Sequence, residues 1–128
     1  PKHYLVTPPA IDRPVGHYMC AQGITTMAIS ETQKYGHVTY FWNGNNSGYI
    51  DPKLEKYIEI KSDLVPFDQR PFMKGGEITD EIIACVKEGK HKFIRANYPH
   101  ADMVGHTGVP IAVRISVETV DLCLARIL

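Results

Sequence analysis

Asp102 and His106 lie four residues apart in a glycine-rich segment, and this pair is the strongest sign of chemistry in the sequence. In a turn or short helix, that spacing places both side chains on one side. A carboxylate together with an imidazole nitrogen suits Mn²⁺, Zn²⁺ or Fe²⁺ better than Ca²⁺ or Mg²⁺. The pair therefore predicts part of a metal site whose remaining ligands come from elsewhere. The alternative is structural: Asp102 caps a turn, and His106 is a partly buried polar residue.

Lys34 is the second candidate and falls near the start of a predicted helix over residues 32–42. Backbone N–H groups and the helix dipole favour an anion at such a position. A lysine there would act as a point charge on a phosphate; the alternative is an ordinary solvated lysine. His100, beside Pro99, is expected to be a loop residue rather than a ligand. No nucleophile motif such as G-x-S-x-G is found.

Short β-branched or aromatic runs alternate with helical patterns along the chain, which predicts an α/β fold with a mostly parallel sheet and flanking helices. The predicted strands cover residues 24–30, 57–61 and 93–98, with a turn-rich loop over 43–48. Ligands of such sheets bind beyond the carboxyl ends of the strands. The segments that follow the first and third strands hold Lys34, Asp102 and His106, so the site is expected there.

Two further helices are predicted, over residues 77–88, stopped by Gly89, and from Pro110 onward. Apolar residues at helical spacing predict their buried faces. These positions are Ile78, Ile82 and Val86 in the first helix, and Val113, Val117, Val120, Leu124 and Ile127 in the second.

Composition excludes several classes of protein. The 128 residues correspond to one domain or part of one, and 14 basic residues balance 14 acidic ones, so there is no electrostatic footprint for nucleic acid. No apolar run reaches the roughly 20 residues of a membrane span. Cys20, Cys85 and Cys123 are far apart and form no CxxC pair, which argues against a disulfide framework or structural zinc site and favours the cytoplasm.

Taken together, the two candidate segments resemble the cofactor-independent phosphoglycerate mutase family of the alkaline phosphatase superfamily. Residues 102–108 (DMVGHTG), preceded by Asn97-Tyr98, are similar to the metal-binding signature of that family. Residues 31–41 are similar to its E-T-x-K-[YF]-[AG]-H-V-T motif, and Asn43-Gly44 follows as expected. The resemblance covers most of residues 24–128.

This resemblance implies that residues 1–128 are a single fragment of an alkaline-phosphatase-like, metal-binding domain, with residues 1–23 returning from a substrate domain. The intact parent would interconvert 2-phosphoglycerate and 3-phosphoglycerate through a phosphoserine, using two manganese ions. Asp102 and His106 would bind one Mn²⁺, and Lys34 would contact the transferring phosphate. The family's serine nucleophile, downstream Asp-His ligand pair, third histidine and arginine-rich substrate domain have no counterpart here. The fragment alone is therefore expected to be inactive.

Two alternatives remain open from the sequence. Another alkaline-phosphatase-like metalloenzyme, such as a phosphopentomutase or a metal-dependent phosphodiesterase, would share the D-x-x-x-H ligands, although the segment around Lys34 fits it poorly. A non-catalytic scaffold domain would retain both motifs for structural reasons. A reading frame that continues to an Asp-His pair would favour the mutase.

Overall fold

The computed structural model describes residues 3, 5–7 and 9–128. Within this part the chain forms three strands, namely β1 (Thr26–Glu31), β2 (Glu55–Ile60) and β3 (Phe93–Asn97). Its helices are α1 (Val15–Ala21), α2 (Thr32–Val38), α3 (Gly75–Glu88), α4 (His100–Gly105) and α5 (Pro110–Ile127). Segment 1–23, which was predicted to return from a substrate domain, contains α1, and its residues 1, 2, 4 and 8 lie outside the described residues. Its origin in a substrate domain stays a prediction.

The three strands form one parallel sheet in the order β2-β1-β3. This confirms the predicted α/β class with a parallel sheet. Every residue of β1 is buried, as expected of a central parallel strand covered on both faces. Met27 and Ile29 point toward α3 and pack with Ile78, Ile82 and Cys85, which form the main core. The other face of β1 lies against α2.

The predicted helix over residues 32–42 is too long, because α2 ends at Val38. Thr39 leaves the helical region with φ −122° and ψ −82°, and its hydroxyl donates to the carbonyl of Tyr35 at 2.8 Å. A threonine hydroxyl that bonds the backbone in this way competes with helix continuation. The chain then continues in turns, and the predicted loop contains left-handed residues at Gly44 and Asn45.

The predicted buried faces of α3 and α5 are partly wrong. In α3, Cys85 is buried in place of Val86, which is exposed, although Gly89 ends the helix as expected in a left-handed conformation with φ 67°. In α5, Val117 and Leu124 are exposed, and the buried positions are Ala112, Ser116 and Cys123. Because the distance between packed helices depends on the side chains at the contact, small residues allow α5 to lie close to α3 and α4.

Candidate functional site: a charged cluster at the carboxyl ends of β1 and β3

Lys34 lies in the first turn of α2, directly after β1. The start of this helix is fixed to the neighbouring strand β2. The hydroxyl of Thr32 donates to the Glu59 carboxylate at 2.9 Å and accepts the backbone N–H of Ser62 at 3.2 Å. These bonds link the segments that follow β1 and β2, so Lys34 projects from a well-anchored turn. Its side chain is only 20% exposed.

Asp102 lies on α4, the short helix that begins three residues after β3, and His106 is the residue directly after the end of this helix. The Oδ1 atom of Asp102 is 3.3 Å from Nε2 of His106, as the spacing of four residues predicts. Both side chains are accessible, with 49% of Asp102 and 76% of His106 exposed. The chain turns away after them at Gly108, whose φ of 68° favours glycine.

The structure brings all three predicted site residues together, because the Lys34 ammonium forms an ion pair with Oδ2 of Asp102. The hydrogen bond from Lys34 holds the pKa of Asp102 below its ordinary value, and the nearby His106 lowers it further. The order of the strands explains why these three residues lie together. The order β2-β1-β3 makes β1 and β3 neighbours, so the segments that follow these two strands lie side by side at the carboxyl edge of the sheet, where such sheets bind ligands.

A second charged group lies at the carboxyl ends of β1 and β2, and its residues were not predicted as site residues from the sequence. Glu31, the last residue of β1, is buried and accepts the backbone N–H of Lys74 at 3.1 Å. Burial raises the pKa of its carboxyl group. Asp63, which lies after β2, binds the Lys74 ammonium at 2.9 Å and the Arg70 guanidinium at 2.5 Å. The available signal was the position of both residues, since Glu31 is the last residue of β1 and Asp63 follows the end of β2.

The expectation that His100 is a loop residue is wrong. His100 is the first residue of α4 and is fully buried. Its Nε2–H donates to the carbonyl of Phe72 at 2.9 Å, which ties α4 to the turn before α3. Burial lowers the pKa of the His100 imidazole. The residue therefore supports the helix that carries Asp102, and the preceding Pro99 did not predict this role.

The donor atoms of Asp102 and His106 fit a shared cation. Ligand bonds of about 2.1 Å meeting at ordinary coordination angles place neighbouring donor atoms about 3.0–3.4 Å apart, and these two atoms are separated by 3.3 Å. The Lys34 ammonium already places a positive charge on the same carboxylate. Among the described residues, no group of three or more His, Cys, Asp or Glu side chains is arranged to hold a metal ion. A complete coordination shell would therefore need donors beyond these residues.

A comparison with family models decides the relationship. The model of the metalloenzyme superfamily matches residues 4–128. The chain belongs to the metalloenzyme superfamily. The part of this superfamily domain that the structure describes contains no helix that is long and apolar enough to cross a membrane.

The superfamily domain is also similar to individual proteins with more specific names. It is 53% identical over 127 residues, or 99% of the chain, to a probable 2,3-bisphosphoglycerate-independent phosphoglycerate mutase of Leptospira interrogans. It is 50% identical over the same length to the 2,3-bisphosphoglycerate-independent phosphoglycerate mutase of Trypanosoma brucei brucei. A crystal structure of Leishmania mexicana phosphoglycerate mutase, determined at low cobalt concentration, matches 98% of the chain with a TM-score of 0.95 and 48% identity. The chain spans about a quarter, 23%, of the length of each of these proteins.

Proposed function

We propose that this chain supplies part of the active site of a cofactor-independent phosphoglycerate mutase of the length of its relatives, here termed the full-length enzyme. The observation that carries the proposal is the meeting of Lys34, Asp102 and His106 at one edge of the sheet. Two of these residues follow β3 and one follows β1, so only the folded chain joins them. The mutase names of the similar proteins support this reaction over the alternatives.

In this proposal Asp102 and His106 hold a Mn²⁺ ion through Oδ1 and Nε2, and the rest of the full-length enzyme supplies the other ligands and the second manganese. When bound, the metal offsets the negative charge of the phosphoryl oxygens during transfer. Lys34 donates a charged hydrogen bond to the phosphate and orients it. The exposure of the cluster supports these roles, because Asp102 and His106 are accessible to a ligand.

The proposed substrates are 2-phosphoglycerate and 3-phosphoglycerate. Their phosphate and carboxylate groups are anionic, which suits a cluster of metal ligands beside a lysine. Manganese is preferred to calcium because an imidazole takes part in the donor set. A cytoplasmic location is part of the same proposal and is based on the three unpaired cysteines.

The alternatives give no comparable role to Lys34. A scaffold domain would need neither an accessible metal-type donor pair nor a lysine next to it. A phosphopentomutase or phosphodiesterase would use the donor pair, but the relatives that match 99% of this chain are named phosphoglycerate mutases. The proposed reaction therefore accounts for the whole cluster.

Replacing either ligand in the full-length enzyme tests the proposal. Asp102→Asn and His106→Ala should each lower manganese content and sharply reduce conversion of 2-phosphoglycerate to 3-phosphoglycerate. Manganese content is measured by elemental analysis after dialysis, and conversion by a coupled assay. Asp121→Asn, which changes an exposed carboxylate on α5, is the matched control and should leave both unchanged. Normal turnover and manganese content in both ligand variants would contradict the assignment.

The 128-residue chain by itself should not convert phosphoglycerates when Mn²⁺ is added. The sequence provides no candidate for the serine nucleophile or the second pair of metal ligands. The same coupled assay, with the full-length enzyme as positive control, measures this. Turnover above background would mean that these residues contain a catalytic apparatus other than the proposed one.

A further inference from the structure

The two oxygens of the Asp102 carboxylate have different partners. Oδ2 forms the ion pair with the Lys34 ammonium, whereas Oδ1 lies 3.3 Å from Nε2 of His106. The donor pair assigned to the metal thus includes a carboxylate that already neutralises a lysine. One negative charge is shared by two positively charged partners whenever a cation binds at Oδ1.

Lys34 depends on this contact more than Asp102 does. The lysine side chain is 20% exposed, whereas the aspartate is 49% exposed. An ammonium group that is partly withdrawn from water requires an anionic partner nearby. Within the described residues, Asp102 is the anion that pairs with Lys34. A second anion, such as a phosphate bound beside Lys34, could take over that role.

A divalent ion on Asp102 weakens the attraction that holds Lys34 in place. The ion and the ammonium repel each other across a single carboxylate, and unit charges about 4 Å apart interact appreciably even in a solvent-exposed setting. This repulsion acts in both directions. Lys34 lowers the affinity of Asp102 for the ion, and the ion lowers the affinity of Asp102 for Lys34.

We propose that Lys34 and the divalent metal ion compete for Asp102, so that metal binding releases the ammonium to the phosphate. This inference rests on the proposed function and adds a coupling between the two binding events. Such a coupling is reciprocal: an anion that draws Lys34 away from Asp102 raises metal affinity, and bound metal raises affinity for the anion. Lys34 thereby favours joint binding of metal and substrate.

Metal titration without substrate tests this competition. Metal-stripped full-length enzyme is titrated with Mn²⁺ alone, and free Mn²⁺ is measured by electron paramagnetic resonance. Lys34→Met removes the charge but keeps much of the stem, and it should bind Mn²⁺ about three- to tenfold more tightly, as expected for loss of a partly screened repulsion. Lys34→Arg keeps the charge and should bind within about twofold of the unchanged enzyme.

Lys61→Met is the matched control. Lys61 also follows a strand end, but it pairs with Glu59 at 2.7 Å and is well exposed. Its loss removes one positive charge from the same edge of the sheet without altering Asp102, so Mn²⁺ affinity should not change. If Lys34→Met and Lys61→Met both bind Mn²⁺ more tightly by the same factor, the effect comes from net charge alone, and the proposed competition is wrong.

Asp102→Asn separates failure of this inference from failure of the proposed function. If one Mn²⁺-binding step is absent from the titration of Asp102→Asn, that step belongs to the Asp102 site. The Lys34 variants are compared at that step. If that step exists but Lys34→Met binds Mn²⁺ equally or more weakly, the competition is wrong and the ligand assignment stands. If Asp102→Asn removes no step, the ligand assignment fails, and the inference fails with it.

Discussion

The sheet carries an ion pair at each end, and the two differ in burial and in the number of partners. Beyond the carboxyl ends of the strands, Lys34 pairs with Asp102, whose side chain is half exposed. Toward the amino ends, Arg95 of β3 pairs with Glu55 of β2 at 3.7 Å, and both side chains are almost completely buried. We call the accessible Lys34–Asp102 pair the open pair and the buried Arg95–Glu55 pair the closed pair.

Neighbours surround the closed pair on several sides. The Arg95 guanidinium carbon lies 5.3 Å from the ring centroids of both Trp42 and Tyr57, an arrangement that allows cation–π attraction. Its Nε–H donates to the carbonyl of Val38 at 2.8 Å. The small Ala28 lies between Arg95 and Tyr57 in the register of the sheet, which leaves room for their approach. Arg95 thus holds the end of α2 against the sheet.

Glu55 is bound just as completely. Its Oε2 accepts the backbone N–H of Ile50 at 2.6 Å and that of Asp51 at 3.2 Å. Its Oε1 accepts the hydroxyl of Tyr57 at 2.8 Å. Burial is the main factor that raises the pKa of Tyr57 to about 12, so this hydroxyl remains a donor at neutral pH. The carboxylate fixes the turn that leads into β2.

The difference shows which ion pair is suited to structure and which to ligand exchange. Each partner of the closed pair is held by several groups, so losing one partner leaves the other buried and charged. The open pair is solvated on the Asp102 side, where a metal ion or a phosphate could reach it. We therefore expect mutations in the closed pair to change stability, and mutations in the open pair to change binding and rate.

The largest expected effect is on stability, from Arg95→Met. Removal of one partner from a buried ion pair typically destabilises a protein by about 3–5 kcal/mol, and Glu55 would remain buried without its cation. Urea unfolding of this chain measures the loss. The matched control is Arg114→Met, which breaks an exposed pair with Glu118 on α5 and should cost less than about 0.5 kcal/mol. Equal costs for the two variants would contradict the expectation that the buried Arg95–Glu55 pair contributes more to stability than an exposed pair.

The second effect is on rate, from Lys34→Ala in the full-length enzyme at saturating Mn²⁺. Loss of one preorganised charged contact to the transferring group typically lowers kcat about 100-fold to 1000-fold. The free energy of unfolding should fall by less than it does in Arg95→Met, because the Asp102 side of the pair is half exposed. Steady-state kinetics and urea unfolding are measured on the same preparations. A kcat within about twofold of the unchanged enzyme, far inside the expected loss, would withdraw the phosphate role of Lys34.

The smallest effect is on the pH dependence of the open pair. Lys34 holds the pKa of Asp102 below its ordinary value of 3.8, so Lys34→Met should raise that pKa toward 3.8. Because the folded-state pKa is depressed, the pair stabilises the fold above pH 3.8 and loses this contribution as the pH falls through the folded-state pKa. Carboxyl carbon resonances of Asp102 report the shift. An unchanged Asp102 pKa in Lys34→Met would mean that the ion pair does not form in solution.

The sequence by itself determined the class of the fold and predicted the segments that carry the candidate site. The β-branched residues in the run 24–30 and the glycine stop at Gly89 are local features, and local features can be interpreted without the tertiary structure. The rule that parallel sheets bind ligands beyond their carboxyl ends led to Lys34, Asp102 and His106. Motif resemblance then named the family of enzymes, which spacing alone could not do.

Only the tertiary structure decided which of these groups touch. Residue patterns predict strands but not their order, and it is the order β2-β1-β3 that places Lys34 beside Asp102. The buried arginine of β3 was also invisible in the sequence, because the groups that make its burial tolerable come from α2, β2 and the turns beside them. The same limit explains the error in α5: helical spacing gives the period of a buried face, while the neighbouring helices determine which residues face them.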